Sequence, residues 1–145
     1  MHKLSPKQKR MSRIIALQVI YAQEFNGSNI NDTFKHMLDP NEIPDKSVIE
    51  YSKHLCNLTI SNKYNVDSII KSRLKNWDFS RITIMDRLIL RMSLSEMLYE
   101  DKVPPKVSIA EGVEIAKEFS TNDSSSFING ILDAVYNQKV KEETL

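Results

Sequence analysis

Residues that build turns are scarce in this sequence, which has three glycines and five prolines in 145 residues. The glycines at positions 27, 112 and 130 lie too far apart to form either common phosphate-binding loop, GxGxxG or GxxxxGKS/T. Sustained alternation of apolar and polar residues is also absent, and this disfavours strands that are buried on one face. We therefore expect a nearly all-helical chain without a nucleotide cofactor.

Cysteine and histidine are scarce as well. The single cysteine, Cys56, has no partner for an internal disulfide, and with three histidines it supplies no spaced set of zinc ligands. His54 lies two residues away, so on a helix its side chain points to a different face and a thiolate–imidazole pair is disfavoured. No apolar run approaches the ~18 residues of a membrane span, and no cleavage site follows the apolar stretch that ends at residue 22. These absences indicate a cytoplasmic protein without a metal, a cofactor or membrane contact, with Cys56 in its core.

Helical periodicity dominates what is present. With 41% apolar and 27% charged residues, the chain fits one globular domain over residues 1–145, with flexible ends at 1–8 and 138–145. Apolar residues that recur every three or four positions predict about seven helices, and therefore a compact all-α bundle. The predicted helices are 11–25, a short helix capped by Asn31 or Asp32, one from Asp45, 66–74 with Trp77 just beyond, one capped by Ser80 or Thr83, 106–119, and one capped within 120–123.

The first predicted helix carries one apolar stripe, formed by Ile14, Leu17, Tyr21 and Phe25. The stripe is predicted to face the core. Gly27 follows the helix and is a typical stop signal.

The segment FINGILDAVY, residues 127–136, contains an Asn-Gly pair that is typical of hairpins, yet its apolar positions follow a period of 3.6. We therefore predict a helix. Glycine inside a helix costs about 1 kcal/mol relative to alanine, so Gly130 requires a compensating reason. Two reasons stay open: close packing of a neighbouring helix against Gly130, or close approach of a ligand.

Basic residues are concentrated at the start of the chain. Five of the 20 lie within residues 1–23, where there is no acid, which leaves 15 against 19 acids in the remainder. The five are Lys3, Lys7, Lys9, Arg10 and Arg13. Lys9 and Arg13 share a helical face with Arg10 beside them, so the cluster is predicted to clamp an RNA backbone, although such a cluster can also be simply solvated. Gln18 and Tyr21 follow on the same helix and offer a hydrogen-bonding amide and a stacking ring to unpaired bases.

Two acids, Glu111 and Glu114, lie one helical turn apart in the sixth predicted helix. Such a pair can hold a metal or share a proton, but Lys117 follows at the spacing of a surface ion pair. The pattern favours a solvated face for both carboxylates.

Four segments of the sequence stand out together. They are RIIALQVIYAQ (13–23), DRLILRMSLSEML (86–98), DKVPPKVSIAEGVEIAKEF (101–119) and DSSSFINGILDAVY (123–136). In this order they resemble the NusB family of transcription antitermination proteins, most strongly in the C-terminal half and weakly between residues 26 and 80. The resemblance implies an all-helical, non-catalytic protein that binds boxA RNA together with NusE, a small-subunit ribosomal protein. Such a complex helps RNA polymerase, with other Nus factors, to elongate through ribosomal RNA operons.

The resemblance also implies roles for particular residues. RNA contact is implied for Lys9, Arg10, Arg13, Lys106, Phe127 and Asn129, in addition to Gln18 and Tyr21. Contact with NusE is implied for Asp86 and Asp123. In this family context, the ligand that approaches Gly130 would be RNA, with Phe127 supplying a ring nearby.

The sequence departs from the family pattern at Met11, Ser12, Pro105, Ala110, Gly112 and Ser126. Met11 and Ser12 interrupt the arginine run, and Ser126 stands where a basic residue is common. Because each lost phosphate contact weakens RNA binding and lowers its salt slope by about one, the affinity is expected to depend more on NusE.

Two other functions stay open. A related helical domain occurs fused to RNA methyltransferases, but this sequence has no glycine motif for a methyl donor. The other alternative is a structural interaction protein whose basic start only aids solubility. The family also contains homodimers, and the sequence does not decide between a monomer and a homodimer.

Overall fold

The computed structural model describes residues 4–74 and 78–144, and these residues form seven α-helices and no strand. The helices are α1 (Pro6–Asn26), α2 (Ile30–Met37), α3 (Lys46–Ser61), α4 (Lys63–Ser72), α5 (Ile84–Tyr99), α6 (Pro105–Phe119) and α7 (Asn122–Thr144), with a 3₁₀ helix at Phe79–Arg81. The prediction of an all-α bundle of about seven helices is confirmed. Lys3 and Trp77 lie outside the described residues, and the flexible ends at 1–8 and 138–145 stay a prediction.

Both ends of α1 follow local capping chemistry. The helix begins five residues before the predicted start, because Ser5 and Gln8 form a capping box. The Gln8 N–H donates to Ser5 Oγ at 3.1 Å, and the Ser5 N–H donates to Gln8 Oε1 at 3.0 Å. At the other end Gly27 has φ +67° and its N–H donates to the carbonyl of Gln23, which confirms the predicted stop.

Side-chain caps also decide where three later helices begin. Asn29 caps α2, so the predicted cap at Asn31 or Asp32 is wrong and lies a few positions too late. Thr83, and not Ser80, caps α5: its Oγ1 accepts a hydrogen bond from the backbone N–H of Asp86 at 3.2 Å. Thr121 caps α7, which lies within the predicted window.

Helix α5 is the centre of the bundle, and it contacts α1, α3, α4, α6 and α7. Every residue from Leu88 to Met97 is buried, so this central stretch of the helix has no solvent face. Charged side chains on such a helix must be paired inside the protein, because an unpaired buried charge is costly. One of them, Arg91, donates to both carboxylate oxygens of Asp67 at 2.7 and 2.9 Å and thereby joins α5 to α4.

Helix α1 packs against α3 through small side chains. Ser52 Oγ donates to the carbonyl of Ser12 at 2.9 Å, and Cys56 is buried beside the carbonyl of Ala16. The predicted core position of Cys56 is confirmed. The predicted core stripe fails at the end of α1, where Tyr21 and Phe25 are 39% and 62% exposed.

Gly112, and not Gly130, is the glycine at which helices approach closely. A Cβ atom at Gly112 would lie 2.5 Å from Ser93 Oγ on α5 and 3.3 Å from a methyl carbon of Leu132 on α7. Among the described residues nothing lies within 4 Å of a Cβ at Gly130. The predicted packing of a helix against Gly130 is therefore wrong, whereas the predicted approach of RNA stays a prediction.

Candidate nucleic-acid interface

The predicted site residues lie in four places. Lys9, Arg10 and Arg13 lie at the start of α1, where Arg10 reaches α6. Lys106 and Asn129 line a groove between α6 and α7. Asp86, Asp123 and Phe127 line a pocket between α5 and α7, while Gln18 and Tyr21 are exposed on α1.

Arg13 is an interior ion-pair partner, with only 3% of its side chain exposed. Its Nε lies 3.0 Å from each carboxylate oxygen of Glu96, and its Nη1 lies 3.5 Å from Oε1 of Glu111. Glu96 is equally buried, so removing one of these charges would leave the other without compensation. Arg13 thus ties α1 to α5 and α6, and this position argues against its predicted contact with RNA.

Glu96 collects further donors from two other helices. The Tyr51 hydroxyl on α3 donates to Glu96 at 2.5 Å, and Ser108 Oγ on α6 donates to it at 2.8 Å. Burial raises the pKa of Tyr51, and the neighbouring carboxylate of Glu96 raises it further, so the phenol keeps its proton as a donor. Lys9 lies over the Tyr51 ring, 4.7 Å from the ring centroid, and extends the cluster toward the surface.

Arg10 lies at the outer edge of this ion cluster, with 48% of its side chain exposed. Its Nε and Nη2 lie 2.8 and 2.7 Å from the same oxygen of Glu111, Oε2. Glu111 therefore bridges the exposed Arg10 and the buried Arg13. The predicted solvated face is wrong for Glu111, because α1 covers it, and it is confirmed for Glu114, which is exposed and pairs with Lys117 at 3.3 Å.

The ion cluster leaves the start of α1 less positive than its sequence suggests. Arg10 and Arg13 pair with the carboxylates of Glu96 and Glu111, while Lys9 lies over the Tyr51 ring. Most of the positive charge is neutralised within the protein, and only part of it is available to an anion.

Two departures from the family pattern have different surroundings at this point. Ser12 is buried, and its Oγ donates to the carbonyls of Gln8 and Val48 at 2.9 and 3.2 Å. A long basic side chain would not fit in that contact. Met11 is 41% exposed, so nothing in the packing explains the lack of a basic residue there.

The groove between α6 and α7 has a volume of about 760 Å³. Lys106 lies along it and has no ion-pair partner among the described residues. Asn129 and Tyr136 contribute an amide and a ring, which are the groups that bind unpaired bases. Two departures, Ala110 and Ser126, also line the groove and keep it open, because both side chains are small.

The pocket between α5 and α7 contains both acids that were predicted to face NusE. Asp86 is buried, and its two oxygens accept hydrogen bonds from Ser120 Oγ and Ser124 Oγ, both at 2.7 Å. This carboxylate holds the start of α5 against the start of α7, which argues against a direct contact with a partner. Asp123 is exposed and Phe127 is partly exposed at the rim of the same pocket.

Gln18 and Tyr21 lie on the outer surface of α1. The Tyr21 ring packs against the ring of Phe25, with centroids 4.9 Å apart. Sequence reasoning placed Phe25 in the core, yet it belongs to this exposed aromatic pair. Exposed aromatic pairs of this kind are typical of binding surfaces.

Sequence reasoning missed the acids and hydroxyls that hold the arginines. Glu96 lies 83 residues from Arg13 along the chain, and Glu111 lies 101 residues from Arg10. One signal was present: an acid at position 96 interrupts a helix whose neighbours are otherwise apolar or small, and such an acid requires a buried partner.

Two further kinds of feature are missing from residues 4–74 and 78–144. No group of three or more histidine, cysteine, aspartate or glutamate side chains is arranged to hold a metal ion. None of the helices there combines the length and the apolar character that crossing a membrane requires.

The sequence pattern of the NusB family matches residues 10–137, which is most of the chain. The chain belongs to the NusB family. It is 39% identical over 130 residues to a transcription antitermination protein NusB from Chloroherpeton thalassium. That match covers 90% of this chain, and the chain spans 62% of the length of that relative.

Solved structures of NusB proteins share the fold. T. maritima NusB superposes with a TM-score of 0.79 at 29% identity, over 92% of each chain. A crystal structure of the antitermination factors NusB and NusE with double-stranded RNA contains a chain that superposes with a TM-score of 0.80 at 25% identity. This match covers 92% of the present chain and 99% of that chain.

Proposed function

We propose that this protein is a non-catalytic transcription antitermination factor that binds boxA-type RNA together with NusE. The observation that carries the proposal is the superposition of 92% of the chain on a member of a NusB, NusE and double-stranded RNA complex. The 39% identical relative, itself an antitermination protein, supports the same function over methyl transfer.

The accessible predicted residues supply the contacts in this proposal. Arg10 and Lys106 bind phosphate, because a guanidinium and an unpaired ammonium are exposed there. Asn129, Gln18 and the rings of Tyr21 and Phe127 bind unpaired bases. Lys9 adds charge beside Arg10, whereas Arg13 acts from the interior by holding α1 in place.

The partner side of the proposal follows from the pocket between α5 and α7. Asp123 faces solvent and contacts NusE, while Asp86 positions the connection between α6 and α7 through its two serine partners. Residues 1–145 act as one RNA-binding domain in the cytoplasm, within the RNA polymerase elongation complex and with other Nus factors. A homodimer is the alternative assembly.

The test is fluorescence anisotropy of a labelled boxA-type RNA and of a scrambled RNA of equal length, with and without NusE, at two salt concentrations. We expect the protein to bind boxA RNA more tightly when NusE is present. The Arg10→Ala variant should bind boxA RNA more weakly than the parent protein. Lys35→Ala, which removes an exposed cation on α2, is the matched control and should leave binding unchanged. Equal binding of both RNAs under every condition would overturn the proposal and favour a structural interaction protein.

A further inference from the structure

We infer that Glu111 limits RNA affinity by competing with phosphate for the Arg10 guanidinium. The inference rests on the proposed RNA-binding function, and it assigns to Glu111 a role in setting the strength and the salt dependence of binding. Glu111 does not contact RNA in this account; it acts through Arg10.

The geometry of the pair shows what a phosphate displaces when it binds the Nε–Nη2 edge of Arg10. Arg10 directs Nε and Nη2 at a single oxygen of Glu111, at 2.8 and 2.7 Å. These are the two nitrogens of one edge of the guanidinium, the edge that also recognises phosphate with two parallel hydrogen bonds. A carboxylate and a phosphate cannot occupy that edge together.

The pair is stronger than an ordinary surface ion pair. Arg10 is half exposed, but the Glu111 side chain is only 12% exposed, so water compensates its charge poorly. Exposed pairs contribute little to stability, whereas a mostly buried carboxylate that loses its partner keeps a charge that water compensates poorly. Glu111 therefore retains Arg10 until a competing anion arrives.

Arg13 makes the exchange feasible, because it can keep Glu111 compensated after Arg10 has left. Its Nη1 already lies 3.5 Å from Oε1 of Glu111. Its Nη2 is buried and has no hydrogen-bond partner in the described part of the chain, so Arg13 has donor capacity to spare. The alternative state costs one ion pair and does not strand a buried charge.

Glu111 is the only one of three nearby acids that is placed for this role. Glu96 is fully buried and binds Arg13, so phosphate does not reach it. Glu114 lies one turn further along α6, but it is exposed and pairs with Lys117. Glu114 also lines the α6–α7 groove, so Glu118, an exposed acid of the same helix that is not among the groove's lining residues, provides the matched control.

The experiment compares Glu111→Gln with Glu118→Gln by anisotropy of labelled single-stranded boxA-type RNA, with NusE present, across a salt series. Glu111→Gln is expected to tighten binding by about three- to tenfold and to steepen the salt slope by about 0.7, the value for one added phosphate contact on a single strand. Glu118→Gln should change affinity less than about twofold, because its screened charge acts only at long range.

A second set of variants identifies the group through which Glu111 acts. In an Arg10→Ala background the Glu111→Gln gain should vanish, and Glu111→Asp, which withdraws the carboxylate by one methylene, should give an intermediate gain. Far-UV circular dichroism and thermal melting check that each variant is folded. Equal effects of Glu111→Gln and Glu118→Gln, or a gain that survives Arg10→Ala, would overturn the inference.

The outcome also separates this inference from the proposed function. If both RNAs bind equally but Glu111→Gln tightens both and steepens their salt slopes, the competition stands and boxA recognition fails. If boxA is preferred and Glu111→Gln changes nothing, the recognition stands and the competition fails. Absence of binding by the parent protein and by both Gln variants would overturn both.

Discussion

The α1–α6 contact and the α6–α7 groove are built from the same kinds of residue along one helix, yet they differ in depth. In the contact, Glu111 lies beneath α1 and pairs with two arginines. In the groove, Glu114 and Lys117 pair with about half of each side chain exposed. Three positions along α6 separate a carboxylate that the fold requires from one that water compensates.

This difference shows which charges are available for binding. Buried ion pairs cannot lose one member without a large penalty, whereas exposed pairs contribute little to stability. Arg13, the most deeply placed cation of the basic segment, is therefore committed to the fold. Lys106 in the groove and the exposed part of the Arg10 side chain, at the edge of the α1–α6 contact, stay accessible to an anion.

The largest expected effect comes from breaking the buried side of this comparison. Glu96→Gln should reduce the free energy of unfolding by about 3–5 kcal/mol, because it leaves the buried guanidinium of Arg13 with Glu111 alone. Urea denaturation measures the change. Glu114→Gln should change the free energy of unfolding by no more than about 0.5 kcal/mol. A loss of less than about 1 kcal/mol in Glu96→Gln, which is the range of exposed ion pairs, would show that the cluster is not structural.

Glycine substitutions test packed and open sides of the helices with opposite signs. Gly112→Ala should destabilise by about 1–3 kcal/mol, because its Cβ would lie 2.5 Å from Ser93 Oγ. Gly130→Ala should stabilise by up to about 1 kcal/mol, since alanine favours the helix and the space is open. Thermal and urea unfolding of both variants measures these changes.

Ser93→Ala provides the internal check on Gly112. It removes the Oγ atom but leaves a Cβ at 3.2 Å, so the double variant should recover most of the stability lost in Gly112→Ala. A Gly112→Ala protein as stable as the parent, or no recovery by Ser93→Ala, would contradict the close crossing of α5 and α6.

Alkaline pH should weaken the buried cluster through Tyr51. Burial and then Glu96 raise the Tyr51 pKa above the value of about 10 in an unfolded chain, so the folded protein holds the phenolic proton more tightly. Stability is therefore complete below pH ~10 and falls as the pH rises, by at most about 1.4 kcal/mol per pH unit for this proton.

The measurement is urea unfolding between about pH 8 and pH 11, a range that brackets the Tyr51 pKa of an unfolded chain. Burial also raises the pKa of Cys56 to about 12, which acts in the same direction. The reference protein and the Tyr51→Phe variant therefore both carry Cys56→Ala. Tyr51→Phe should show a shallower decline. An identical pH dependence in both proteins would exclude Tyr51 as the cause.

The smallest effect on stability is expected in the groove. Lys106→Ala should change the free energy of unfolding by no more than about 0.5 kcal/mol, because this exposed lysine has no ion-pair partner among the described residues. It should still weaken RNA binding and lower the salt slope by about 0.7. Lys35→Ala is the control. A loss of stability above about 1 kcal/mol in Lys106→Ala would exceed the range of surface substitutions, and it would contradict the distinction between the α1–α6 contact and the α6–α7 groove.

Helix periodicity made most of the fold predictable, and its failures have local causes. The start of α1 was missed because the capping box of Ser5 and Gln8 lies in a polar segment without an apolar repeat. Tyr21 and Phe25 were placed on the core stripe because they continue the period of Leu17, although both rings are exposed. A period identifies a face; it does not say how far a neighbour covers it.

The sequence by itself determined the helical architecture, the family and the segments that hold the accessible site residues, because helix formation and capping depend on neighbours within four positions. Only the tertiary structure decided which charges are buried. Arg13 meets Glu96 across 83 residues and Arg10 meets Glu111 across 101, and no local period encodes such distances. The closeness of α5 and α6, which requires Gly112, likewise depends on which helix faces meet and not on the pattern within either helix.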